Sequence, residues 1–203
     1  MSLVPIATLK EYLPEISGNS ADTELSNLID RIEQAVARYL GFIPPNDSTL
    51  LTLDESTYTI YVDRPMISDE FVLQLPIKPL VSVSSVHSDI NRKYDSNTLL
   101  DSSKYSVDKA NARIVLDDTS PDTFDSGYQA TKVVGNFGYS TSSPPSDLVH
   151  SICVWCAHVQ RAKSSQGNQS ITQRNSTINL SPRTMPPEVR EILRGYRNAN
   201  TIL

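Results

Sequence analysis

The sequence predicts an α+β fold from three observations. Two long stretches, near 22–40 and 146–163, repeat apolar residues at helical spacing. The region between them alternates in short β-rich runs broken by turn residues. After residue 163 the chain turns polar and then closes on a short amphipathic pattern. The expectation is a helical core with an inserted β-rich module and a C-terminal arm ending in a short helix. Residues 1–163 form the body, with helices in 1–45 and 146–163 and the insertion at 46–140. Residues 164–203 form the arm and the terminal helix.

Thr8 and Glu11 are spaced as a capping box for a first short helix carrying Leu9, Tyr12 and Leu13, and Pro14 ends it. Asp22 is placed to cap the strongest helix, in which Leu25, Leu28, Ile29, Ile32, Ala35, Val36, Tyr39 and Leu40 recur at three and four residues. Arg31, Glu33, Gln34 and Arg38 fall on its polar side, and Gly41 with Pro44-Pro45 stops it.

In 57–63, Tyr58, Ile60 and Val62 alternate with Thr57, Thr59 and Tyr61, the pattern of a half-buried strand. Phe71–Leu75, Val81–Val86, Tyr105–Val107, Arg113–Leu116 and Thr131–Phe137 complete about six strands, with Pro76 and Pro79 favouring an edge or bend. Asp-, Asn- and Ser-rich turns separate them at 88–89, 95–97, 108–111 and 117–127. Pro144-Pro145-Ser146-Asp147 opens the last long helix, whose broad apolar arc holds Leu148, Ile152, Trp155, Cys156 and Val159, widened by Val149 and Cys153. Residues 164–183 read as an extended or mobile arm with no core of its own. Pro186-Pro187 then starts a helix with Val189, Ile192, Leu193 and Tyr196 in one stripe.

Chemistry-bearing patterns are few. Cys153 and Cys156 have Cys-x-x-Cys spacing but fall on the apolar face inside a helix, where free cysteines act as small core packers; redox pairs of this type open a helix. His150, Cys153, Cys156 and His158 cannot all turn to one tetrahedral zinc from one continuous helix. The aspartates sit mostly in turns and match no calcium loop. Residues 135–139, Gly-Asn-Phe-Gly-Tyr, close a strand and are no phosphate cradle. We therefore expect no catalytic residues, no metal and no cofactor.

Charge is unevenly spread. The chain carries 18 basic and 23 acidic side chains, a net −5. Residues 164–203 hold five arginines against two acids, +3, and residues 1–163 hold 13 basic against 21 acidic side chains, −8. A net acidic chain does not coat nucleic acid. No apolar run approaches a membrane span, and the first residues lack a signal-peptide pattern, so the starting expectation is a soluble, cytosolic chain or part of an assembly built there. A terminal helix of this length is marginal alone in water, so its stripe must pack on its own body or on another chain. The polar arm before it gives reach, which favours another chain. The expected partner-binding residues are Val189, Ile192, Leu193 and Tyr196 in a neighbour's groove, with Arg190, Arg194 and Arg197 meeting acidic groups around it.

The order of elements resembles the head–tail connector (adaptor) proteins of tailed bacteriophages. The likeness runs through the helix ending Ile32–Gly41 and through 75–83, Leu-Pro-Ile-Lys-Pro-Leu-Val-Ser-Val. It continues in Tyr94-Asp95, in Tyr105–Asp108 before Ile114–Leu116, and in Asn136–Tyr139 followed by Pro144-Pro145 and Asp147-Leu148. Met185-Pro186-Pro187-Glu188-Val189, with Leu193, Tyr196 and Arg197, resembles the closing segment of longer members. The likeness covers roughly 3–163 and 185–197; Phe137 stands where the family usually has tyrosine, and 164–183 matches nothing particular.

That resemblance implies a non-catalytic structural protein. It implies a ring, typically dodecameric, bound to the phage portal protein beneath the filled capsid and offering a platform to a downstream neck or stopper protein. DNA would pass through the channel without sequence-specific binding or membrane contact, and an acidic wall would let it slide. The expected location is the virion neck at the head–tail interface, after assembly in the host cytoplasm. Other readings are another neck or tail component, such as a stopper or tail terminator, or a small cytosolic thiol-redox protein using Cys153 and Cys156.

Overall fold

In the computed structural model the described residues are 2–64, 71–117, 123–165, 170–173, 176–179 and 185–198. The chain divides into two compact units: residues 1–40 with 141–197, and residues 41–140 with 198–203.

The first unit is helical: α1 (Ile6–Glu11), α2 (Asp22–Leu40), α3 (Ser146–Arg161) and α4 (Pro187–Arg194), with α3 touching each of the other three. Leu9, Leu13, Leu25, Leu28, Ile29, Val36, Leu40, Leu148, Ile152, Cys156, Val189 and Leu193 are buried in it. The broad arc read on α3 is what allows one helix to serve three neighbours: Leu148, Ser151, Ile152, Cys153, Trp155, Cys156 and Ala157 are all buried. Val159, expected in that arc, is half-buried.

Three local expectations are corrected here. The capping box at Thr8 and Glu11 does not form, because the N-cap of α1 is Pro5, whose fixed φ (−64°) starts the helix earlier and leaves Thr8 inside it. Asp22 does not cap α2; it stands in the first turn, and its Oδ1 pairs with Lys10 Nζ at 2.6 Å. Glu33 is not on a solvated face. It is buried, and Oε1 accepts from Ser2 Oγ (2.7 Å), Leu3 N–H (2.9 Å) and Val4 N–H (3.1 Å), which binds the N-terminal segment to α2.

The second unit holds two three-stranded antiparallel sheets. β1 (Ser56–Arg64), β6 (Gly127–Phe137) and β3 (Leu80–Ser88) pair in the order β1-β6-β3. β2 (Val72–Gln74), β5 (Arg113–Leu116) and β4 (Tyr105–Asp108) pair in the order β2-β5-β4. The alternation read in β1 holds: Tyr58 and Ile60 are buried with Val133, Phe137 and Val86, while Thr57 and Tyr61 face out. Tyr58 packs edge-on against Phe137 at 5.8 Å between ring centroids. Gly138 takes φ +115°, and a Cβ there would lie 2.5 Å from the Asp54 carbonyl oxygen, so only glycine fits this turn. Among the described residues no helix is long and apolar enough to cross a membrane.

The arm, read as extended or mobile, contains extended backbone where it is described. Within it, β7 (Ser170–Gln173) and β8 (Ser176–Asn179) pair as an antiparallel hairpin, Ile171 opposite Ile178. Across that ladder the backbone N–H and C=O groups of the two strands satisfy each other. Residues 166–169, 174–175 and 180–184 of the same arm lie outside the described residues.

Candidate assembly surface

α4 begins on Pro186-Pro187, where a missing N–H costs nothing at a helix start. Val189 and Leu193 lie one turn apart and are fully buried. Ile192 and Tyr196 are half-buried, and the Tyr196 hydroxyl donates to Asp147 Oδ1 in the first turn of α3. Burial, then that hydrogen bond to a carboxylate, pushes the Tyr196 phenol up to about 12.

The apolar stripe expected to fill a neighbour's groove is thus seated on the chain's own α3. Val189 and Leu193, expected to fill a groove on a neighbour, are buried within this chain. The physical reason is the width of the α3 arc, which the helix spacing of α3 alone did not assign to an occupant. Arg190, Arg194 and Arg197 remain exposed on the outer side, and the Arg197 guanidinium lies 5.5 Å from the centroid of the Tyr39 ring. Arg190 and Arg194 therefore share the exposed side of α4 with Glu188 and Glu191, and Arg197 stands just beyond the helix end.

The cysteines lie in the interior of the helical unit. Both are free and fully buried, and burial pushes the Cys153 thiol up to about 12 and that of Cys156 higher still. A thiol held protonated is a poor nucleophile and a poor metal ligand. His150 Nδ1 lies 2.8 Å from the Tyr12 hydroxyl. Arg161 donates to Glu15 (2.9 Å) and to the Tyr12 carbonyl (2.7 Å), tying α3 to the end of α1. A groove of about 390 Å³ beside them is lined by Tyr12, Val154, His158, Arg161 and Glu188, and of these Tyr12 and Arg161 also serve the helix contacts just described. Among the described residues no three His, Cys, Asp or Glu gather as metal ligands.

One surface escaped the sequence reading. Across the β1-β6-β3 sheet, Tyr61, Lys132 and His87 stand in one cross-strand row. Tyr94 lies over it, 5.6 Å from the Tyr61 ring, 6.5 Å from His87 and 5.6 Å from Lys132 Nζ. Beside it the Arg92 guanidinium lies 5.9 Å from the Tyr128 ring. The outward position of Tyr61 in an alternating strand was the available signal; the pairing that brings it to Lys132 and Tyr94 is a matter of register.

No family model matches the sequence, and no curated protein does so either. Solved structures do share the α+β fold. A chain from the neck of an empty gene transfer agent (GTA) particle, computed with C6 symmetry, aligns with a TM-score of 0.58 at 16% identity, covering 98% of this chain and 92% of that one. A chain from the neck of a native GTA particle, computed with C12 symmetry, aligns at 0.52 and 14%, covering 98% and 91%. A chain from the virion of a native GTA particle gives 0.52 and 14%, covering 98% and 92%. The fold is therefore one that occurs in neck proteins of phage-like particles, and it spans both units of this chain rather than one of them.

Proposed function

We propose that this chain is a structural, non-catalytic subunit of the neck of a tailed-phage-like particle, an adaptor that joins the capsid to downstream tail proteins. The observation that carries this reading is the likeness over 98% of the chain to neck chains of GTA particles. The order of sequence segments that resembles the connector family supports it independently. The interior position of both cysteines weighs against the thiol-redox alternative, and the four-helix unit against a stopper or terminator dominated by a β-barrel.

In this reading copies of the chain form a ring, dodecameric as in the family, under the portal protein. The exposed Arg190, Arg194 and Arg197 rim meets acidic groups on the portal, while Val189 and Leu193 hold α4 in place on α3. The opposite side offers a platform to the next neck protein. DNA passes along a wall drawn from a chain of net charge −5, which repels phosphate instead of holding it. Assembly takes place in the host cytoplasm and the product resides in the virion neck.

The test is particle assembly without this chain, followed by complementation. Loss should leave filled capsids lacking tails, and antibody-gold on complemented particles should label the neck. Normally tailed particles in its absence would overturn the proposal. Reversal of Arg190, Arg194 and Arg197 to Glu should weaken attachment to heads in a salt-dependent manner. Truncation after Lys163 should abolish attachment, and wild-type occupancy by either variant would place the portal contact elsewhere on the chain.

A further inference from the structure

We infer that the β7-β8 hairpin of the arm pairs edge to edge with the same hairpin of the next copy, β8 of one chain beside β7 of its neighbour. A ring of chains would then carry one continuous antiparallel sheet. The inference rests on the neck-ring reading above and names a contact that would hold that ring together.

The hairpin is incomplete by itself. β7 and β8 pair with each other and, among the described residues, with no third strand. In an antiparallel pair, alternate residues turn their N–H and C=O groups away from the partner strand. A two-stranded hairpin is at best marginal in water, and a third strand is what ordinarily completes it. Elsewhere the chain covers its edges. On the outer edge of β1, Asn46 N–H donates to the Thr57 carbonyl (3.0 Å) and Asn46 Oδ1 accepts from Thr59 N–H (2.7 Å). Along β3, Ser88 N–H donates to the Thr98 carbonyl (3.0 Å) and Leu100 N–H to the Val86 carbonyl (2.8 Å). Among the described residues no such backbone hydrogen bond reaches β7 or β8.

Register selects a second copy as the occupant. The cross-strand pairs are Ser170 with Asn179, Ile171 with Ile178, Thr172 with Thr177 and Gln173 with Ser176. Isoleucine thus faces isoleucine, threonine faces threonine, and the outer pairs are polar and uncharged. Setting β7 of a second copy on the outer edge of β8 in this register repeats the same pairs. Like threonines placed opposite each other are a favourable cross-strand match. None of the eight strand residues is charged and none is proline, the two devices that ordinarily keep an edge from pairing with its own kind. Arg174, between the strands in sequence, would recur every second strand, about 10 Å away. Salt screens most of the repulsion between exposed charges at that spacing.

Direction suits a ring. β8 against β7 joins two different edges, a heterologous contact that can close into a ring, whereas β7 against β7 is isologous and stops at a dimer. The up-and-down antiparallel order continues unbroken from one hairpin to the next, as in a barrel that leaves no edge open.

The experiment uses two full-length variants, Gln173→Cys and Ser176→Cys, mixed at high concentration under mild oxidation. The native Cys153 and Cys156 are buried and do not compete. In the proposed pairing, position 173 of one copy stands opposite position 176 of the next, within reach of a disulfide. The mixture should yield disulfide-linked dimers at about tenfold the level of either variant alone, because the paired strands raise the effective concentration of the two thiols. Gln173→Cys mixed with Asn179→Cys, three residues out of register, should stay at the single-variant background. No excess in the first mixture, an equal yield from one variant alone, or an equal yield from the out-of-register mixture would each overturn the inference. On particles assembled with Gln173→Cys, a thiol-to-amine cross-linker that joins this position only to a different protein would also overturn it, assigning the hairpin to that protein. Antibody-gold labelling of particle necks reads the underlying proposal separately. Neck label without the disulfide overturns this contact alone, and the disulfide without neck label overturns the neck reading alone.

Discussion

Glu33 shows how one buried carboxylate ties a chain end to a helix and makes that tie sensitive to pH. Burial raises its carboxyl above the usual carboxylate range, against the lowering effect of its hydrogen bonds to Ser2, Val4 and Leu3 and with a further push from Asp30. A raised folded-state pKa means that the folded chain binds the proton more tightly than the unfolded one. The stability this group contributes is full below the unfolded pKa and is lost as pH rises through the folded value. Glu33→Gln keeps the Oε1 acceptor and removes the charge. Its denaturation midpoint should equal wild type near acid pH and exceed it from neutral pH upward; parallel curves at all pH values would refute this. For the thiols, Cys153→Ala or Cys156→Ala should each cost about 1–3 kcal/mol as small interior cavities. Native protein should leave a thiol reagent unreacted until it is denatured, because both sulfurs are fully buried and protonated. Fast labelling of the folded chain would reopen the redox reading.

At the scale of elements, α4 is the informative case. Its eight residues are too short to persist alone, and its two buried side chains make it depend on α3. Leu193→Ala should cost about 2–4 kcal/mol and release α4, which hydrogen exchange would read as early loss of protection in 187–194 with α2 still protected. Uniform loss across α2, α3 and α4 would instead show that α4 is cooperative with the whole unit. Arg190 and Arg194 are not used by that seat, since the same helix turns them outward, and Arg197 beyond its end is exposed as well.

At the scale of the molecule, the free chain should be a monomer or small oligomer at micromolar concentration, with rings completed only in the particle. A single contact between subunits is weak, and closure multiplies it once other subunits are tethered nearby. Light scattering with size exclusion checks this, and a stable ring in dilute solution would contradict it.

Much of this molecule was legible in the residue order. Apolar spacing located α2, α3 and α4, and alternation located β1, because periodicity reports which side of an element meets a core. Composition marked the unequal charge of body and tail, and helical position marked the cysteines as interior. Long-range partners were not legible. Glu33 looks solvated on a helical wheel, and only the return of Ser2, Leu3 and Val4 to α2 buries it. The six strands were visible, but their division into β1-β6-β3 and β2-β5-β4 was not, since local patterning does not name a partner strand. The stripe of α4 required a surface, and the sequence by itself determined only that need. Tertiary structure decided that α3 meets it and that Tyr61, Tyr94, Lys132 and Arg92 converge, because both outcomes depend on residues far apart in the chain competing for the same exposed area.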